Sequence, residues 1–170
     1  SIFARDNEQL ELVADDSINV FRCWNNNGKL DRLLSQIIRL NINSLVIQFN
    51  FGFFDLIEFE LFIAHLHKLK INIFIIFHST IAPSGEILDN FKCLIKTLTL
   101  CKRILVHTPN DMNRLKELGL IDNVALFPHG IIQKNQFVNK FSFNNKFRYS
   151  EKIIASHGFC LPNKCFENLI

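Results

Sequence analysis

Glycine and proline are scarce in this sequence, and long apolar runs are missing from it. Six Gly and four Pro among 170 residues exclude a collagen-like or low-complexity chain. Its continuous apolar runs, such as Ile73–Phe77, are far shorter than the roughly 18 residues that suggest a membrane-spanning helix. The first residues lack the basic and apolar regions of an export signal. We therefore expect a cytoplasmic protein without a transmembrane helix.

Neither the pattern of cysteines nor any common catalytic motif indicates a metal, cofactor or catalytic site. The five Cys form an odd set without a CxxC pair, so neither a disulfide framework nor a zinc knuckle is indicated. His65 and His67 lie two residues apart on a predicted helix and cannot share a metal ion. The absence of GxGxxG, GxxxxGK[ST] and GxSxG argues against dinucleotide, P-loop and hydrolase sites. We expect no metal and no cofactor.

The residues that are present suffice for one ordinary domain. The chain is 48% hydrophobic and 21% charged, with a net charge of +3, as in globular proteins. This mild positive charge permits an anionic ligand or a lipid surface but does not indicate nucleic acid. The aromatic and basic stretch Phe137–Tyr149 resembles a single-strand binding platform only superficially. We expect a linker there and no nucleic-acid partner.

Six short apolar runs recur at the spacing of β-α-β units. Several are continuously apolar, which is typical of strands in a parallel sheet covered by helices on both faces. They begin 20 to 31 residues apart, so one helix fits between successive strands. The predicted strands are Ile18–Cys23, Ser44–Phe49, Asn72–Phe77, Arg103–His107, Asn123–Phe127 and Ile153–His157.

Amphipathic patterns predict helices between these strands. Apolar residues recur at helical spacing across 30–38, 59–66 and 87–98. A fourth helix carries end signals, with Thr108 at the N-cap, Pro109 at the first position and Gly119 at the end. Asp111 occupies the position of a capping-box acid. The alternation predicts an α/β fold with an open, doubly wound parallel sheet.

The pattern changes after residue 131. Residues 132–150 are polar and dotted with Phe, which we interpret as an interdomain linker, and a strand pattern restarts at Glu151. We therefore predict a Rossmann-like domain over 1–131 that lacks its first βα unit. The first strand and helix start of a second domain follow over 151–170. Both ends of this arrangement are expected to be truncated.

Polar residues gather where the predicted strands end. Ligands of open α/β sheets bind beyond the carboxyl ends of the strands, so these residues are the candidates for a site. The plain alternative is that loops favour polar residues and that each His is a surface or capping group. The candidates are Gln48, Asn50, Gly52, His78, Ser79, Thr80, His107, Thr108, His129, Gly130, His157 and Gly158.

Lys164 is the candidate for a phosphate-binding residue. It opens a predicted helix after the sixth strand, where free N–H groups and the helix dipole favour a diphosphate. A solvated lysine near a helix start is the alternative.

Five segments resemble the family-4 type of GT-B glycosyltransferase in order and spacing. They are VIQFNFGFF (46–54), IFHST (76–80), RILVHTPNDMNRLKELG (103–119), VALFPHGI (124–131) and IIASHGFCLPNK (153–164). The resemblance implies two Rossmann-like domains that face each other across a cleft, the first binding the acceptor and the second the nucleotide-sugar. It implies retaining sugar transfer from a nucleotide-diphosphate donor to a glycan or lipid-linked acceptor, without a bound metal.

The resemblance also implies roles for individual residues. His78 would contact the transferring sugar or the acceptor, and Gly52 would border the acceptor side. His129 and Gly130 would lie at the crevice before the linker. Gly158 and Lys164 would face the donor diphosphate. The family's opening strand and Gly-rich loop would precede residue 1, and its acidic donor motif would follow residue 170.

Two departures from the family leave other readings open. Phe159 stands where the family commonly has Arg, and Cys165 stands where it commonly has Gly. These changes favour a non-catalytic glycosyltransferase-like binding domain as the alternative. A different α/β protein, such as a receiver-like or nucleotide-binding domain, is a further reading, although a receiver would need an acidic cluster at the strand ends. A basic, Phe-rich surface leaves peripheral contact with the inner face of a membrane open.

Overall fold

The computed structural model describes residues 1–6, 20–26, 28–82 and 85–130. These residues fall within one compact unit, Ser1–Gly130. The predicted linker, the strand Ile153–His157, and the candidates His157, Gly158 and Lys164 lie outside the described residues. The strands are β1 (Ile2–Arg5), β2 (Val20–Trp24), β3 (Ser44–Phe49), β4 (Asn72–Phe77), β5 (Arg103–Val106) and β6 (Val124–Leu126). The helices are α1 (Asp31–Arg39), α2 (Leu56–Lys68), α3 (Glu86–Leu98) and α4 (Pro109–Glu117).

The strands are parallel, as the continuous apolar runs predicted. Four of them form a sheet in the order β3-β4-β5-β6, and β1 pairs with β2 in a second sheet. Their registers align Phe49 with Phe77, Phe77 with Val106, and Val106 with Leu126. The α/β class and the parallel strands are therefore confirmed.

The described strands form two sheets, whereas the spacing predicted one. The difference arises partly from β1, which the sequence analysis missed. Its four residues, Ile2–Arg5, offer only two side chains to each face of a sheet, so no alternation or run marks them as a strand. β1 pairs with β2 in register from Ile2 opposite Val20, with a shift between Ala4 and Arg5.

Phenylalanine rings fill the core behind β3 and β4. Phe49, Phe59 and Phe77 are all at most 1% exposed. The ring centroid of Phe49 lies 4.6 Å from that of Phe77 and 5.1 Å from that of Phe59. Burying each ring contributes about 1.5–3 kcal/mol, and paired rings add about 0.5–1.5 kcal/mol beyond that. These rings hold the ends of β3 and β4 in place.

Helix α4 begins and ends where its sequence signals predicted. The Thr108 hydroxyl accepts a hydrogen bond from the Asp111 N–H at 3.1 Å, and Pro109 is the first helical residue. Gly119 follows the C-cap with φ of +99°, a conformation that side chains rarely adopt. The strand β5 therefore leads directly into a capped helix at one edge of the sheet. In the part of the chain that the structure describes, no helix has the length and apolar character needed to cross a membrane.

Candidate functional site

The carboxyl ends of β3 to β6 lie along one edge of the four-stranded sheet because all four strands are parallel and in aligned register. Gly52 is in the turn after β3, and His129 and Gly130 follow β6. This edge therefore carries every candidate that falls on described residues. The residues directly after the four strands are Asn50, His78, His107 and Phe127.

His78 is exposed at this edge and is oriented by β3. Its Nε2 lies 2.8 Å from Oε1 of Gln48. Because an amide oxygen can only accept, this geometry assigns the proton to Nε2 and leaves Nδ1 as an acceptor in the neutral ring. The backbone N–H of His78 donates to the carbonyl of Phe49 at 3.2 Å, which fixes the start of the loop against the neighbouring strand.

Partial burial lowers the pKa of His78, and the nearby imidazoles of His107 and His129 lower it further. Desolvation disfavours the charged ring, and protonated neighbours would repel a positive charge. The lowered pKa favours the neutral imidazole at pH 7. A neutral imidazole both donates and accepts a hydrogen bond.

Three histidine rings meet at the edge. The ring centroids of His107 and His129 are 3.6 Å apart with an interplanar angle of 21°, so the rings are stacked. The centroids of His78 and His107 are 5.6 Å apart. We call these three residues the histidine cluster. The sequence placed all three at strand ends, but their mutual contact depends on loop conformation, which strand spacing does not predict.

His107 is held in one orientation by the chain after β6. Its Nδ1 lies 2.8 Å from the carbonyl oxygen of Phe127. The carbonyl must accept, so Nδ1 donates, and in the neutral ring Nε2 carries the free lone pair. That Nε2 is buried and has no hydrogen-bond partner among the described residues. Buried ring nitrogens usually find a partner, so this atom marks an unsatisfied acceptor beside the cluster.

A polar network behind the cluster ties the loop after β4 to helix α4. The Thr80 hydroxyl, only 1% exposed, donates to Oδ1 of Asp111 at 2.5 Å and accepts from Arg114 at 2.6 Å. The Thr108 hydroxyl donates to Oδ2 of Asp111 at 2.6 Å. Through these bonds, the residues that follow His78 and His107 share one carboxylate.

The carboxylate at the centre of this network is held in its charged form. Burial by itself would raise the pKa of Asp111, but hydrogen bonds from Thr108 and Thr80 and the charge of Arg114 lower it below the ordinary value. The sequence analysis recognised Asp111 only as a capping residue and missed Arg114. Asp111 and Arg114 lie 31 and 34 positions after Thr80 in the sequence. No local sequence pattern predicts hydrogen bonds between residues that are so far apart.

The two candidate glycines lie at the edge without a steric need for glycine. The N–H of Gly52 donates to Oδ1 of Asn50 at 2.9 Å, which stabilises the turn after β3. A Cβ added to Gly52 would stand 3.5 Å from that oxygen, an ordinary contact, and one added to Gly130 would meet nothing within 4 Å. The backbone therefore does not require glycine at either position.

The described residues contain no group of three or more His, Cys, Asp or Glu side chains arranged to hold a metal ion. The histidine cluster instead presents stacked and tilted rings, with Nε2 of His78 and Nδ1 of His107 already hydrogen-bonded. The imidazole nitrogens of the cluster can donate and accept hydrogen bonds.

Comparison with known proteins finds no family model, curated protein or solved structure that matches the chain. The class that the fold defines is an α/β domain with parallel strands.

Proposed function

We propose that the chain is the acceptor-side part of a GT-B glycosyltransferase that transfers a sugar from a nucleotide-diphosphate donor to a glycan or lipid-linked acceptor. The observation that carries the proposal is the convergence of His78, His107 and His129 on the carboxyl edge of a parallel sheet. Ligand sites of open α/β sheets are found at that edge. Gly52 and Gly130 belong to the loops that border it.

The hydrogen-bonding capacity of His78 suits a sugar. A sugar hydroxyl both donates and accepts, and a neutral imidazole with its Nε2 proton held by Gln48 offers an acceptor at Nδ1. The lowered pKa of His78 keeps that acceptor free of a proton at neutral pH. His78 would thereby orient a hydroxyl of the transferring sugar or of the acceptor. The backbone of His78 is held by its hydrogen bond to the Phe49 carbonyl, where β4 ends beside β3.

The chemical step in such transfer demands stabilisation of the negative charge that develops on the leaving diphosphate. In this proposal Gly158 and Lys164 of the second domain supply N–H groups and a cation to that diphosphate. The edge of the first domain positions the sugar and the acceptor, and closure of the cleft excludes water. No metal ion is required by this scheme.

The proposal is tested with the full-length protein and a panel of nucleotide-sugars, by measuring release of nucleoside diphosphate with and without glycan acceptors. We expect His78→Ala to reduce turnover at least tenfold, which corresponds to about 1.4 kcal/mol of barrier, while the circular dichroism spectrum stays unchanged. His65→Ala is the matched control because His65 is exposed on α2, away from the strand ends. Equal turnover by wild type and His78→Ala would reject the role of His78.

A second outcome would select the alternative function. If the full-length protein binds glycans by isothermal titration but releases no nucleoside diphosphate from any donor in the panel, it is a non-catalytic binding domain. The replacement of the family's Arg by Phe159 favours that alternative. In that case His78→Ala would weaken glycan binding, since the same edge would hold the glycan.

A further inference from the structure

The connections that lead into β3, β4 and β5 lie at the amino edge of the four-stranded sheet, at the other end of the strands from the histidine cluster. Hydrogen bonds hold these connections side by side. The N–H of Asn72 donates to the carbonyl of Asn43 at 2.9 Å, and Nζ of Lys102 donates to Oδ1 of Asn72 at 3.4 Å. The three connections therefore form one continuous surface.

This surface carries positive charge and no acid. We call it the basic edge and define it as residues 38–43, 68–72 and 99–103, which contain no Asp or Glu. The ion pairs found among the described residues involve none of its cations. All of these cations are exposed, and they are Arg39, Lys68, Lys70, Lys102 and Arg103.

Helix dipoles explain only part of this charge. Arg39 and Lys68 lie in the last turns of α1 and α2, where a cation offsets the partial negative charge of the helix end. Lys70, Lys102 and Arg103 lie beyond the helices. Lys70 also has φ of 59°, a conformation that glycine and asparagine adopt more readily than lysine. The charge that the helix ends do not require indicates an anionic partner.

Aliphatic side chains protrude among these cations. Ile38, Leu69 and Leu100 are 55%, 47% and 39% exposed, and Leu69 stands between two lysines. Single-stranded nucleic acid is bound by stacking on aromatic side chains, and the basic edge contains no Phe, Tyr or Trp. Exposed aliphatic residues flanked by lysines suit a bilayer interface, where the apolar side chain enters the lipid and the ammonium groups reach the headgroups.

We propose that the basic edge binds the surface of an anionic phospholipid bilayer. Its cations would pair with the lipid phosphates, while Leu69 and Leu100 would enter the boundary between headgroups and acyl chains. Each lysine or arginine close to such a surface strengthens binding about fivefold. The histidine cluster, at the other end of the strands, would stay open to solution. This inference does not depend on the proposed function.

Cosedimentation with vesicles tests the role of the cations. The vesicles contain phosphatidylcholine alone, or phosphatidylcholine with about one quarter phosphatidylglycerol. We expect the protein to bind only the anionic vesicles and to be released by about 0.5 M salt. Lys68→Gln/Lys70→Gln should lower the partition coefficient roughly tenfold or more. Lys29→Gln/Lys92→Gln is the matched control, because it removes the same charge from exposed positions outside the basic edge, and it should leave binding nearly unchanged.

A second pair of variants tests the aliphatic residues. Leu69→Ser/Leu100→Ser should weaken binding to the anionic vesicles roughly fivefold or more, because it removes the apolar contacts with the lipid. Ile57→Ser/Leu61→Ser is the control, because Ile57 and Leu61 are 54% and 51% exposed on α2 and lie outside the basic edge. The control should bind as the wild type does. Circular dichroism verifies that each variant is folded.

Three results would overturn the proposal. One is equal binding to neutral and anionic vesicles, or binding to neither. Another is an equal effect of the basic-edge variants and their controls. The third is binding of an oligouridylate RNA that competes with the vesicles and is unaffected by Leu69→Ser/Leu100→Ser, because the basic edge would then hold a soluble polyanion rather than a bilayer.

Discussion

Replacing Thr80 by Val tests the network that fixes the loop after His78. The substitution keeps the shape of the side chain and removes only the hydroxyl, which donates to Asp111 and accepts from Arg114. Hydrogen bonds to charged groups contribute about 1.5–3 kcal/mol each. Asp111 and Arg114 lie 3.3 Å apart, with side-chain exposures of 20% and 39%, so their own contact and access to water should compensate part of the loss. We expect a net loss of about 2 kcal/mol in the free energy of unfolding.

The pH dependence of this loss follows from the lowered pKa of Asp111. A carboxyl group with a lowered folded-state pKa contributes stability above its unfolded value of about 3.9. That contribution disappears as the pH falls through the folded value. The difference between wild type and Thr80→Val should therefore be full at pH 7 and should narrow below about pH 4.

Urea denaturation at a series of pH values measures both effects. Thr99→Val is the control, because its exposed hydroxyl donates to the carbonyl of Lys96 and takes no part in the network. We expect that control to cost less than about 1 kcal/mol at every pH. If Thr80→Val and Thr99→Val lose the same stability at pH 7, the network does not hold the loop as described.

The remaining predictions concern the core and the histidine cluster. Phe49→Ala should lower the free energy of unfolding by about 3–5 kcal/mol, whereas Phe53→Ala, at a site 39% exposed, should cost about 1 kcal/mol or less; equal losses would refute the central position of Phe49. His129→Ala should raise the pKa of His78 towards the ordinary value, because it removes the electrostatic influence of the His129 imidazole. NMR titration of the imidazole protons measures this shift, and an unchanged pKa would show that His129 does not influence His78.

Much of the fold could be predicted because its signals are local. The bounds of β3 and β4 match the apolar runs Ser44–Phe49 and Asn72–Phe77 residue for residue. The end signals of α4 from Thr108 to Gly119 are confirmed. Parallel strands then bring their carboxyl ends to one edge, so the common location of the candidates also followed from the sequence.

The rest depends on contacts between distant residues. The four residues of β1 are too few to produce a periodic pattern. The bonds from Thr80 to Asp111 and Arg114 join a loop to a helix more than 30 residues away. Stacking of His107 on His129 requires the conformation of the segment after β6, which is set by the bond to the Phe127 carbonyl.

A structure of the full-length protein with a bound nucleotide-sugar tests the central claim most directly. We expect the sugar to lie at the carboxyl edge of the sheet, with a hydroxyl oxygen within hydrogen-bonding distance, about 3 Å, of Nδ1 of His78. A sugar bound elsewhere, with no atom in contact with the histidine cluster, would contradict the account.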